Sequence, residues 1–333
     1  MTIFTFSCTH KSSKEWFQMR GVVLSVDDLR TLDWPRLAAE NGINTIGTHI
    51  FPDQVVEFVR SDEGKRFLQE CERYGINIEH QLHAISALLP RELFDEDSTM
   101  FRMQDGQWVR DFNLCVSSPK ALDIVAANAL YYSQLLPASN HRYYYWMDDG
   151  PPMCACTECS QYSDSEQALI VENRILQELR TLDPQAQVAH LAYHNTLSAP
   201  IKVKPRDGVF LEFAPFYRDW QSPLSDEAAE GRGMTHGENL LHLEENLKVF
   251  PAETAVVLEY WLDVSLFSGW KKPAIQLPWN HSVFASDLDT YRNLGIRNVT
   301  SFAVYIDSAY VAAYPDLSFL KEYGEAFSRR VSE

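Results

Sequence analysis

From Gly21 onward, short apolar runs alternate with amphipathic helical stretches, and this alternation constrains the fold more than anything else in the chain. Parallel strands cannot be joined by tight turns. They need a crossover, usually a helix, so the alternation predicts βα units around a parallel sheet. Eight runs are strand candidates: Gly21–Val26, Asn44–Ile50, Ile76–His83, Tyr143–Met147, Gln187–Ala192, Val209–Phe213, Thr254–Trp261 and Asn298–Ile306. Helical patterns cover Trp34–Asn41, Gln54–Tyr74, Pro119–Leu136, Asp164–Leu182, Gly237–Val249, Val283–Leu294 and Pro315–Val331. Their ends carry the usual signals, such as Ser118-Pro119 at a start and Gly75 and Gly295 at stops. Eight strands predict a (β/α)8 TIM barrel, with residues 20–333 as a single domain. At 333 residues the chain exceeds a typical single core, but barrels of this length are common. Ser86–Ser118 breaks the rhythm, which predicts a long insertion after strand three. It holds a hairpin at Met100–Val109 around Asp105-Gly106.

The net charge is −17, which excludes phosphate-rich partners: nucleic acid would be repelled, as would an anionic membrane surface. No run of about 18 apolar residues is present to cross a bilayer. Residues 1–19 read as a leader or tether. Ser7-Cys8 has the look of the end of a bacterial lipoprotein signal, followed by a polar Thr9–Ser13 stretch. If translation begins upstream, Cys8 is the expected lipid attachment point, the chain's one membrane tether, and the protein is periplasmic or on the cell surface. The alternative is an unstructured start.

In such barrels the chemistry lies at the C-terminal strand ends. Those positions hold Asp27 and Asp28, His49, His83, Asp148 and Asp149, Tyr193 and His194, Glu212, Glu259 through Asp263, and Tyr305 with Asp307. Trp146, Tyr217, Tyr260 and Trp261 add aromatic faces suited to sugar rings. There is no G-x-S-x-G elbow, no G-x-G-x-x-G fingerprint and no P-loop, so serine hydrolase and nucleotide chemistry have no support. A carboxylate-rich, aromatic mouth suits glycosidic cleavage, where one acid protonates the leaving oxygen and another stabilises the oxocarbenium-like centre.

The sharpest motif is Trp146-Met-Asp148-Asp149-Gly150, followed by two prolines. Adjacent carboxylates repel, which favours holding a proton on one of them. The plainer reading is a pair that caps a turn. Glu212 and Glu259 sit inside apolar runs, where a carboxylate must be either functional or ion-paired. Directly downstream lies Cys154-Ala-Cys156-Thr-Glu-Cys159. Three cysteines so close suggest a thiolate metal site, with Cys115 as the fourth ligand and zinc as the metal. A disulfide to Cys115 and free thiols are the other readings. Cys71, on a helix among apolar neighbours, reads as core. No organic cofactor is indicated.

These motifs resemble the glycoside-hydrolase-like barrels of unknown function found in surface and periplasmic proteins of polysaccharide-degrading bacteria. The resemblance rests on Asp149-Gly150 followed by C-x-C-x-x-C, on Asn113-Leu-Cys-Val-Ser-Ser-Pro119, on Leu191-Ala-Tyr193, on Glu259-Tyr-Trp261 and on Asp287–Gly295. It implies a barrel acting on an oligosaccharide or glycan. A weaker likeness, carried by the Asp pair alone, is to N-acetyl-hexosaminidases that use the substrate's acetamido group. It would give Asp148 the orienting role and Asp149 the acid/base role. The expected activity is therefore a retaining glycoside hydrolase. Asp149 is its acid/base, partnered either by Asp148 or by Glu259 as nucleophile. The alternative is a non-catalytic carbohydrate-binding barrel.

Overall fold

The computed structural model describes residues 15–327; Cys8 and the rest of the expected tether before Glu15 lie outside them. Eight parallel strands close into a barrel in ring order one, eight, seven, six, five, four, three, two. They span Met19–Ser25, Thr45–His49, Asn77–His83, Arg142–Trp146, Gln187–Ala192, Val209–Phe213, Val256–Glu259 and Asn298–Phe302. Strand one closes the ring, pairing Gly21 with Thr45 on one side and Met19 with Asn298 on the other. Helices connect the strands outside the ring, including Pro119–Leu135 and Asp164–Leu179, which begin at the Ser118 and Ser163 caps. No helix among the described residues is long and apolar enough to cross a membrane.

Three local expectations change. The pattern over Gln54–Tyr74 is two helices, Pro52–Arg60 and Asp62–Tyr74. Ser61 stays extended at ψ 163° and caps the second helix through Gly64 N at 3.0 Å. Strand one is followed immediately by a short helix, Val26–Thr31, opened by a reciprocal Ser25–Asp28 capping box that sequence reading passed over. The ordered barrel also begins before residue 20. Phe17 is fully buried, and Trp16 donates from its indole to the Ile296 carbonyl at 3.0 Å. The hairpin in the insertion is real but short, pairing Met103 with Trp108 and Gln104 with Gln107.

Two buried charged groups organise the barrel. Inside it, Glu79, Gln81, Arg142, Tyr144 and Glu212 are all buried. Burial pushes the Glu79 and Glu212 carboxyls upward, Glu212 well above the usual range. Glu212 accepts the Trp146 indole N–H at 2.7 Å, which holds that ring in place. Outside strand seven, fully buried Arg218 donates from Nη1 to Glu259 at 2.7 Å and lies 2.7 Å from Asp287. Tyr291 donates to Glu259 at 2.5 Å, and the Trp261 indole donates to Asp287 at 2.9 Å. Arg218 also reaches the Ser222 carbonyl at 2.9 Å, tying the loop after strand six to strand seven.

Removing one partner of such a cluster leaves an uncompensated buried charge. Arg218→Met is expected to cost about 3–5 kcal/mol in urea unfolding. Surface Arg36→Met, whose partners Asp33 and Glu40 are about half exposed, is expected to change stability by less than about 1 kcal/mol.

Candidate active site

Strand four ends in two aspartates with different surroundings. Asp148 is buried and accepts three hydrogen bonds. Ser86 N (3.1 Å) and Ser86 Oγ (2.7 Å) come from the turn after strand three, and Asn113 N (2.7 Å) from the far end of the insertion. Asn113 Oδ1 accepts the Asp148 backbone N–H at 3.0 Å, and its Nδ2 donates to the Pro151 carbonyl at 3.4 Å. Asn113 sits at φ 50°, a left-handed conformation that asparagine tolerates better than most residues. Asp148 thus acts as a clamp, its oxygens already supplied with protein donors. Orienting a substrate group, the role expected of it, would compete with these bonds.

Asp149, one residue on, is exposed and lines a cavity of about 390 Å³ at the barrel mouth. The Tyr193 hydroxyl bonds to it, and burial together with the Asp149 charge pushes that phenol above its usual range. Trp146, Tyr260, Phe216 and Phe302 also line this cavity. The last three form a continuous aromatic surface, with ring centroids 5.6 Å apart for Phe216–Tyr260 and 5.3 Å for Tyr260–Phe302, while Trp146 packs against His83 at 5.1 Å. His194 and Trp270 line it too, each holding a positive φ, 48° and 56°. A bulky residue in that region costs backbone energy, and such strain is common where a side chain must be aimed at a ligand.

The second carboxylate of the cavity is Asp263, which caps the short helix Val264–Phe267. Its Oδ1 accepts from Ser265 Oγ (2.6 Å), Ser265 N (3.1 Å) and Leu266 N (3.2 Å), while Oδ2 takes no donor among the described residues. Burial pushes its pKa up to about 6, against the pull of those donors. Sequence reading placed Asp263 only within the strand-seven end. The sharper signal was Asp-x-Ser at a helix start, where one carboxylate oxygen is tied to the cap.

The other expected residues divide clearly. Glu259 does not reach the cavity; it is consumed by Arg218 and Tyr291, which corrects its reading as nucleophile. Trp261 faces Asp287, and Glu212 acts only through Trp146. Asp27 is exposed on the helix after strand one, whereas Asp28 is buried under Ser25 and the Tyr305 backbone, with its pKa raised by burial to about 6. His83 lines the cavity, its Nδ1 donating to the Met147 carbonyl at 2.7 Å, and Nε2 has no hydrogen-bond partner among the described residues. His49 sits behind it, bonded to the Gln81 carbonyl, with its pKa lowered to about 3 by burial and by His83. Tyr217 stacks at the edge against His194, and Tyr305 approaches the Trp270 carbonyl at 3.4 Å. Asp307 pairs with Lys272 at 2.6 Å.

Beside the aspartates, Cys115, Cys154, Cys156 and Cys159 are buried, with all four sulfurs within 4.8 Å of one another. Among the described residues every cysteine is unbridged, including buried Cys71 on its helix. The Cys115 sulfur lies 3.8 Å from Cys156 and 3.6 Å from Cys159. A tetrahedral metal with about 2.3 Å bonds to sulfur has edges of about 3.8 Å, so donor type and spacing fit a closed soft-metal site. Met103 N–H points at the Cys154 sulfur (3.2 Å), and Ser117 Oγ lies 3.1 Å from that of Cys159, contacts that favour thiolates. Gln167 clamps the loop from behind, bonding the Cys154 N–H and the Cys154 and Cys159 carbonyls.

Comparison with solved structures agrees with the fold. The chain is similar to a β-N-acetylhexosaminidase from Bacteroides fragilis NCTC 9343 (12% identity, TM-score 0.59, covering 95% of this chain and 67% of that one). It is also similar to a cold-adapted β-galactosidase from Rahnella sp. R3 (14%, TM-score 0.58, 96% and 58%). A third is an O-GlcNAc hydrolase mutant from Thermobaculum terrenum (11%, TM-score 0.54, 94% and 59%). The chain therefore spans about two thirds of the first protein and under two thirds of the other two. At these identities the likeness speaks for the barrel alone. No curated protein sequence matches the chain. Residues 47–262 match the family described as a domain of unknown function, DUF4838, and the chain belongs to that family.

Proposed function

We propose that the protein is a retaining glycoside hydrolase with Asp149 as general acid/base and Asp263 as nucleophile. One observation carries this reading: both carboxylates line a single aromatic-walled cavity, one exposed and the other almost dry, with one oxygen tied and one free. The activities named for the three compared structures are glycosidase activities, consistent with a sugar substrate. In the first step Asp263 Oδ2 bonds to the anomeric carbon as the glycosidic C–O bond breaks. The Asp149 proton passes to the leaving oxygen. Water then cleaves the glycosyl ester, giving its proton to Asp149 and restoring both groups. Tyr193 orients Asp149, and exposed Trp270 with partly buried Phe216 offer their faces to the sugar ring. A binding protein without turnover needs no such pair. It would more naturally tie Asp149 to a cation, and no ion pair reaches Asp149 among the described residues.

Asp149→Asn is expected to lower kcat on oligosaccharides by about 10²–10⁴-fold, the usual contribution of general acid catalysis. Retention would be read from the anomer first formed, followed by NMR. Asp263 must be ionised to attack, so kcat/KM is expected to fall as pH drops through about 6. Its folded pKa lies above the ordinary aspartate value of about 3.9, so ionisation weakens the fold. Its stabilising contribution is present below about 4 and is lost as pH rises through about 6. Asp263→Asn is therefore expected to be inactive yet no less stable than the parent at pH 8. A clear loss of stability there would count against the assignment.

We further propose that the four cysteines hold zinc, which when bound cross-links the loop after strand four to the insertion. Cys115 lies two residues from Asn113, the partner of Asp148, so the metal would brace the segment that presents Asp149. One zinc per chain is expected by elemental analysis. Chelation under reducing conditions should lower Tm, and added zinc should restore it. A zinc-free protein with the same Tm would contradict the proposal.

A further inference from the structure

Asp149 borders two sugar-sized cavities. The second, of about 430 Å³, opens on its other side. The two share only His83 and Asp149, which form the ridge between them. The second cavity has its own walls: Phe51 after strand two, Phe112 from the insertion, and Asp53.

Phe51 and Phe112 are 49% and 46% exposed, two of the few large apolar side chains left open to solvent. Phe112 is no loose loop tip. Its N–H donates to Asp111 Oδ1 at 2.7 Å, and Asp111 is bound at both oxygens by buried Arg102. Its other neighbour, Asn113, is locked to Asp148. Phe51 precedes Pro52 at the start of helix Pro52–Arg60, so its backbone is also held. An exposed ring on a fixed backbone, beside a cavity, is a stacking platform: it pays little ordering entropy when a flat apolar face settles on it. Asp53 is anchored at one oxygen by the Tyr132 hydroxyl at 2.6 Å, and its second oxygen has no donor among the described residues. That oxygen is available to a sugar hydroxyl. The cavity carries three carboxylates and no Lys or Arg, which opposes uronate or sulfated rings.

We propose that this second cavity binds the sugar on the leaving-group side of the scissile bond. It would seat a neutral or amino-sugar ring against Phe112 and Phe51, with Asp53 accepting a hydroxyl. The proposal rests on the glycosidase reading, because a general acid between two sugar-sized cavities places the bond at the ridge. It also makes the substrate a chain of at least two residues.

The test is calorimetric binding to the Asp149→Asn protein, using monosaccharides and tetrasaccharides of β-linked glucose, galactose and N-acetylglucosamine. The same titrations are made with Phe51→Ala/Phe112→Ala added, and with Phe112→Tyr as the conservative control. The best tetrasaccharide is expected to bind tighter than its monosaccharide. The double alanine change should weaken the tetrasaccharide about 10-fold or more, as loss of a ring contact worth roughly 1.4 kcal/mol does, and leave the monosaccharide unchanged. Phe112→Tyr should retain binding. An unchanged tetrasaccharide affinity, an equal loss for both ligands, or no binding by any tetrasaccharide would overturn the proposal. Cleavage by the wild-type protein reports separately. Binding that depends on the two rings without any cleavage would sink the hydrolase reading and leave the subsite standing. Cleavage indifferent to the two rings would do the reverse.

Discussion

The Asp148 carboxylate connects more of the mouth than any other group at strand four. It joins the end of that strand to the turn after strand three through Ser86 and to the end of the insertion through Asn113. Buried carboxylates are costly unless their lone pairs are met, and three donors meet these. The bonds carry the next residue, Asp149, into the open on a chain that cannot easily swing. They also bring Cys115 beside Cys156 and Cys159, because only Leu114 separates it from Asn113. The two aspartates therefore differ: one holds the loop and its neighbour is left open at the cavity.

The same economy governs the other acids. Glu212 and Glu259 are fully enclosed, and each is spent on the protein itself: Glu212 on the Trp146 ring, Glu259 on Arg218 and Tyr291. Asp263 differs because its donors all bind one oxygen, so its charge is costly to the fold yet points toward the cavity. A group kept in that state lowers stability at neutral pH, a pattern common where a site is built for chemistry rather than for packing.

The barrel was legible because eight strands share one physical requirement: each is buried on both faces and must be followed by a crossover. Strands five and six match the sequence reading residue for residue, since turn residues bound them: Asp183-Pro184 before Gln187–Ala192, and Asp207-Gly208 before and Pro215 after Val209–Phe213. The helix at Val26–Thr31 was missed because it is short and its signal is a side-chain cap rather than a periodicity. The site was legible in part. An Asp pair at a strand end marks the mouth, but which of the two faces solvent depends on Ser86 and Asn113, which lie distant in sequence. Glu259 misled for the same reason: its partner Arg218 sits 41 residues away, and nothing local announces the ion pair. The four-cysteine cluster was the easiest to assemble, because three of its members are neighbours and the fourth lies just before a strong helix.

The clamp is tested most directly by hydrogen exchange of Asp148→Ala, followed by mass spectrometry of peptides across the chain. Protection is expected to fall in 84–116 and 147–160, the two segments that Asp148 joins, while strands five through eight keep theirs. If exchange in those two segments matched the parent protein, Asp148 would not be what holds Asp149 in place.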